Sequence, residues 1–131
     1  MTRKHPSTRR RLDPRRENRR QRLEKKLRAA ERDVARGKTR KALRLYRALI
    51  AERPDDLGSR NRLGDLLVRV QQLDGALALF LEVAHELLHQ GFLRRALALY
   101  GKILRHDPSH PEARLEQRRL RARLDLPPVL A

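Results

Sequence analysis

The sequence predicts an all-α chain, folded as a short solenoid of about five repeat helices plus a C-terminal capping helix. Three observations predict it. Apolar residues recur every three or four positions in six separated segments, the spacing of one helix face. No segment alternates apolar and polar residues as a strand does. A set of small and aromatic residues returns after 34 positions, Ala30 as Gly64, Ala42 as Ala76 and Tyr46 as Phe80. A period of that length marks architectures whose units bury their apolar faces on their neighbours, and whose surfaces bind other proteins.

Each element has local reasons. Residues 1–13, rich in Arg, Thr and Ser without apolar periodicity, read as a disordered basic tail. Asp13-Pro14 reads as a helix N-cap and first residue, because Asp accepts from orphan N–H groups and proline has none to orphan. That helix should run to about 36, with Leu23, Leu27, Ala30 and Val34 as its stripe. The turns over 14–22 precede the stripe and are expected to project as a basic extension. Gly37 suits a stop. A second helix over 39–52 carries Ala42, Leu45, Tyr46, Leu49 and Ile50 and ends before Pro54. A third spans 57–70 with Leu63, Leu66, Leu67 and Val70. Asp74 reads as the cap of a fourth, over 74–90, with Leu77, Phe80, Leu81, Ala84, Leu87 and Leu88, stopped by Gly91. A fifth over 92–105 holds Ala96, Leu99, Tyr100, Ile103 and Leu104. Pro111 opens a sixth over 111–124, and 125–131 reads as a flexible tail.

The chain has 131 residues, enough for one domain. It contains no cysteine, which excludes disulfides and thiolate metal sites. Its longest apolar run, 76–81, is far short of a bilayer span, so no membrane insertion is expected. The basic N-terminus lacks the apolar stretch of a signal peptide, and Asp13, Glu17 and Glu24 argue against a mitochondrial presequence. A cytoplasmic location is expected. The formal net charge of +17 is unevenly placed: residues 1–28 hold 13 Lys or Arg against 3 acids. A second basic cluster comprises Arg114, Arg118, Arg119, Arg121 and Arg123. Arginine outnumbers lysine 27 to 6, a bias that a GC-rich bacterial genome also produces.

The repeat resembles the tetratricopeptide repeat (TPR), a 34-residue pair of helices with small residues at positions 8 and 20, an aromatic at 24 and proline at 32. With Leu23 as position 1, Ala30, Ala42, Tyr46 and Pro54 occupy those slots. A second unit starting at Leu57 puts Gly64 at 8, Ala76 at 20, Phe80 at 24 and Val83 at 27. Lys26 and Arg60 stand where the family favours tryptophan at position 4, and Asp33 stands at position 11. Ala96, Tyr100, Ile103 and Pro108 fit a third unit, but one starting at Leu77, only 20 residues after the second. The 74–90 helix must then serve twice, closing repeat 57–90 and opening repeat 77–110. The resemblance covers about 23–110 and implies a right-handed solenoid without enzymatic activity or cofactor.

The resemblance also implies a concave groove at positions 5, 9, 12 and 13 of each unit. These are Asn61, Asp65, Val68 and Arg69 in one unit and Leu81, His85, Leu88 and His89 in the next. Such a stripe offers hydrogen bonding and apolar contact to a peptide or helix of a partner. Asn61 and Arg69 only partly match the family's carboxylate clamp, and Asp65 would repel a carboxylate.

His85-Glu86-Leu87-Leu88-His89 has the H-E-x-x-H spacing of zinc proteases, two imidazoles one turn apart beside a glutamate. No third ligand follows at a metzincin spacing, and the chain has no room for substrate lobes. The motif is read as fortuitous, with no metal and no catalysis.

The basic ends carry an alternative reading. Arg15, Arg16, Arg19, Arg20, Arg22, Arg118 and Arg119 suit contact with the backbone of RNA or DNA or another polyanion. No aromatic precedes Tyr46, so base stacking is not offered there. The leading expectation is a non-enzymatic adaptor or scaffold binding another protein. Apolar end faces would also favour self-association.

Overall fold

Small residues at regular intervals decide where helices can touch. In a computed structural model of the protein, describing residues 14–130 apart from the Glu17 side chain, six α-helices follow one another. They are α1 (Pro14–Ala35), α2 (Thr39–Glu52), α3 (Leu57–Arg69), α4 (Leu73–His89), α5 (Leu93–His106) and α6 (Pro111–Arg123). No strand occurs among the described residues. The expected tail over 1–13 and the Asp13 cap lie outside them. Each helix packs on the next in sequence, giving a row of antiparallel neighbours.

Two kinds of turn occur along the row. After α1, α3 and α4 the chain reverses through a residue with positive φ: Gly37 (74°), Gln71 (63°) and Gly91 (85°). In each case the following amide reaches back five residues to a carbonyl, Lys38 to Asp33, Gln72 to Leu67 and Phe92 to Leu87, at 2.7–2.9 Å. These are the paired C-terminal bonds of a helix closed by a left-handed residue. After α2 and α5 the turn is different. It runs through Pro54 or Pro108 and is closed by Asp56 N–H donating to the Arg53 carbonyl, or His110 N–H to that of Asp107, both at 3.1 Å. Caps follow in the same places. Asp56 accepts from the Ser59 amide at 3.2 Å, and His110 Nδ1 accepts from the Ala113 amide at 3.2 Å.

The turn type that joins first to second helix of a hairpin therefore occurs on both sides of α4. α4 closes the hairpin begun by α3 and opens the one finished by α5. The packing agrees. Three pairs of small residues sit 12 positions apart across the turns: Ala30 and Ala42, Gly64 and Ala76, Ala84 and Ala96. All six are buried. Four residues after each pair comes a buried aromatic, Tyr46, Phe80 or Tyr100. α4 supplies members of two pairs, and six of its residues are buried: Ala76, Leu77, Phe80, Val83, Ala84 and Leu87. Fully burying a side chain the size of Leu or Phe contributes roughly 1.5–3 kcal/mol, so α4 is the centre of the core.

Asp74 is not the cap expected of it. The α3–α4 turn places Gln72 at the cap position, without a side-chain capping bond, and Asp74 falls in the first turn of α4. There its carboxylate still faces the positive end of the helix dipole. The described side chains of α1 are exposed through Arg22; the first partly buried one among them is Leu23. α6 closes the row, burying Ala113 and Leu120.

Gly64 marks the tightest approach: a methyl group added there would overlap the Phe80 ring. Gly101, in the middle of α5, has nothing within 4 Å of the corresponding position. Replacing a helical glycine by alanine favours the helix by roughly 1 kcal/mol, whereas overpacking costs typically 1–3. Gly101→Ala should raise unfolding stability by about 0.5–1 kcal/mol in urea denaturation. Gly64→Ala should lower it by about 1–2 kcal/mol, and adding Phe80→Leu should recover part of the loss.

Candidate functional site

Asn61 and Asp65 lie one turn apart on α3, so they share a face. Across α4 from them stands Lys102 of α5. Its ammonium donates to Asn61 Oδ1 at 3.3 Å and to the Asp65 carboxylate, and it lies 4.4 Å over the centroid of the Phe80 ring. The lysine thus links the helices on either side of α4. Sequence reading did not single it out, although it is the one lysine after Lys41 in an arginine-dominated chain.

Beside this link a cleft of about 380 Å³ opens between α3 and α5. Val83 and Leu87 of α4 and Ala98 and Leu99 of α5 give it apolar walls, while Asn61, Arg95, Lys102 and Arg105 supply polar and cationic groups. A second cleft of about 260 Å³ lies between α1, α2 and α3, lined by Val34, Tyr46, Asp65, Leu66 and Arg69 and by the Glu31–Arg62 ion pair at 2.8 Å.

His85 lies elsewhere. Its Nδ1 meets the Tyr100 hydroxyl at 2.9 Å and its Nε2 meets Glu112 Oε2 of α6 at 3.2 Å, with the two rings edge-on at 5.8 Å. A carboxylate only accepts, so a neutral imidazole here carries its proton on Nε2, and Tyr100 donates to Nδ1. Tyr100 and Lys102 are two positions apart on α5 and so point to nearly opposite sides of that helix. The expected groove is accordingly divided. Asn61 and Asp65 belong to the Lys102 side, His85 to the Tyr100 side, and Arg69 with Asp65 to the second cleft. Val68, Leu81 and Leu88 are partly buried against the core, and His89 is exposed at the end of α4.

The H-E-x-x-H spacing is present on α4, but both ring nitrogens of His85 have partners and Glu86 accepts from the Gln90 amide at 3.0 Å. A metal would have to displace one of them. No group of three or more His, Cys, Asp or Glu arranged to hold a metal occurs among the described residues.

The two basic clusters do not meet. Arg15, Arg16, Arg19, Arg20 and Arg22 are exposed on the first turns of α1, at one end of the row. Arg118 and Arg119 are exposed on α6 at the other, where Arg119 pairs with Glu116 at 3.1 Å. No helix of the described residues is long and apolar enough to cross a membrane.

Six helices in hairpins, closed by two turn types around small-residue contacts, define a helical-repeat protein. The tetratricopeptide repeat family model matches residues 27–87 and again 81–123, and the chain belongs to that family. The two matches overlap inside α4, the helix that both hairpins use. A tetratricopeptide repeat protein from Parabacteroides merdae, known from a crystal structure, is similar at 20% identity over 80% of this chain, with a TM-score of 0.46. The chain spans 48% of that protein's length. No curated protein matches.

Burial pushes the Tyr100 hydroxyl up to about 12, with Glu116 and Glu112 adding to the shift, and burial also raises Tyr46. Below the ordinary tyrosine value of 10.0 the proton is bound in both folded and unfolded chains and stability is unaffected. Above it the unfolded chain ionises first, so stability falls as pH rises towards 12. Urea midpoints measured from pH 9 to 11.5 should decline, and Tyr100→Phe should flatten that decline relative to wild type.

Proposed function

We propose that this tetratricopeptide repeat protein is a non-enzymatic adaptor that takes a peptide or helix of another protein into the cleft between α3 and α5. The observation that carries the reading is the combination there of apolar walls (Val83, Leu87, Leu99) and cationic groups (Arg95, Lys102, Arg105) in a space of about 380 Å³. That volume lies within the roughly 300–1,000 Å³ of ligand-holding clefts. It accommodates a few apolar side chains of a partner, while the cations favour acidic residues beside them. Binding surfaces draw most of their energy from such buried anchors, with charged rims setting orientation and rate.

Asn61 and Asp65 contribute by holding Lys102 at the edge of the cleft. A lysine stem fixed at its tip loses less rotamer freedom when a partner arrives. Arg69, in the neighbouring cleft, extends the same surface towards α1. On this reading His85 and His89 serve the packing of α4 against α6 and the helix end, outside the partner's footprint.

The cleft lacks the arrangement of a reactive centre. Its polar groups are cations and an amide, with no nucleophile set beside a base. Its chemistry is recognition.

The test is selection of peptides from a displayed random library on the intact protein, followed by affinity measurement by fluorescence anisotropy. Ala98 is exposed and lines the cleft, so Ala98→Glu should block it without unfolding the chain. Selected peptides should carry acidic residues around an apolar pair and bind Ala98→Glu and Arg95→Glu/Arg105→Glu at least about 10-fold more weakly, with unchanged helical circular dichroism. Peptides that retain full affinity for both variants would place the binding surface elsewhere.

A further inference from the structure

The strongest concentration of charge lies away from the α3–α5 cleft. The start of α1 leans past the end of α2, and between them opens a cleft of about 850 Å³. Arg16, Arg19, Arg20, Arg22 and Lys26 of α1 line it, together with Arg53 from the end of α2. Only one acid, Glu52, stands among them, and it is engaged by Lys26 at 2.9 Å. Arg20 has Glu24 at 3.7 Å. Arg16, Arg19, Arg22 and Arg53 have no ion pair or side-chain hydrogen bond among the described residues. Four unneutralised guanidinium groups around one concavity repel each other, and the low-dielectric walls of a cleft concentrate their field. An anion bound there relieves that repulsion.

The lining says which anion. Leu23 is its single apolar residue. A peptide would find no apolar or aromatic anchor, the usual source of affinity between proteins. A membrane surface is a poor fit too. Arg16, Arg19, Arg20 and Arg22 spread around the first turns of α1 with no exposed apolar face opposite them to enter lipid. A chain of phosphates needs neither. The span from Arg16 to Lys26 is about 15 Å at 1.5 Å per residue, matching about four phosphates of one strand at roughly 3.4 Å each. Guanidinium forks bind phosphate oxygens in pairs. With no aromatic ring in the lining, bases have nothing to stack on, so contacts reach the backbone and leave sequence unread.

We propose that the cleft between the start of α1 and the end of α2 binds the phosphodiester backbone of a nucleic acid, independently of its sequence. Its position at the end of the row leaves the α3–α5 cleft free, so the proposal stands apart from protein binding.

The experiment measures fluorescence anisotropy of the intact protein with two labelled 20-nucleotide RNAs of unrelated sequence and their DNA counterparts. About four phosphate contacts on a single strand predict a salt slope near −2.8, or about a 50-fold loss of affinity between 50 and 200 mM salt. The two sequences should bind within about 3-fold of each other. Arg16→Gln/Arg19→Gln/Arg22→Gln/Arg53→Gln alters only exposed residues and should weaken binding at least 30-fold with unchanged circular dichroism. A charge-matched control on α6, Arg114→Gln/Arg118→Gln/Arg119→Gln/Arg123→Gln, should stay within about 3-fold of wild type. Equal losses in the two variants would show bulk charge acting in place of the cleft and overturn the proposal. So would no binding at 50 mM salt, equal competition by polyglutamate of matched charge, or binding to vesicles containing phosphatidylserine without binding to nucleic acid.

Discussion

One helix must be covered on two sides at once, and the rest of the molecule follows from how that is done. α4 contributes Ala76 and Phe80 to the hairpin with α3, and Ala84 to the hairpin with α5. Only small residues let two backbones approach closely enough for a neighbouring aromatic to fill the space between them. α4 carries two such contacts within nine residues, and Phe80 lies against Gly64 on one side and under Lys102 on the other. The helix carries no Lys or Arg, and its acids Asp74, Glu82 and Glu86 remain exposed.

The shared helix also shapes the surface. If the second and third repeats followed each other at a full period, another helix would separate α4 from α5, and Lys102 would not reach Asp65. Because α4 is used twice, α3 and α5 both flank it, and the cleft over Val83 and Leu87 opens between them. The Lys102–Asp65 pair is partly exposed, and ion pairs of that kind contribute at most about 1 kcal/mol. Its consequence is geometric, holding an ammonium at the edge of an apolar recess.

Charge is distributed along the row in step with this division. In the middle of the array two pairs of charges meet across helices, Glu31 with Arg62 and Asp65 with Lys102. The start of α1 and the end of α2 gather six cations around a single acid, Glu52. A packed centre and a charged end are thus two surfaces of different chemistry on one short repeat array.

Much of this was legible in the order of residues alone. The 3- and 4-residue spacing of apolar side chains, the 34-residue recurrence and the early return of Ala96, Tyr100 and Pro108 determined six helices and the double use of the fourth, because packing periodicity is a local property of the chain. The start of α4 was misplaced for a physical reason. The α3–α4 turn is made by Gln71 in a left-handed conformation, where a glycine would have announced it, and so Asp74 looked like a cap. The way surface side chains group was least legible. The repeat register placed Asn61, Asp65 and His85 in one stripe. Tyr100 and Glu112 hold the imidazole on one side of α5, while Lys102, two residues from Tyr100, holds the α3 pair on the other. Which faces of neighbouring helices meet depends on the angles at which they cross, and those are decided only when all the side chains pack together.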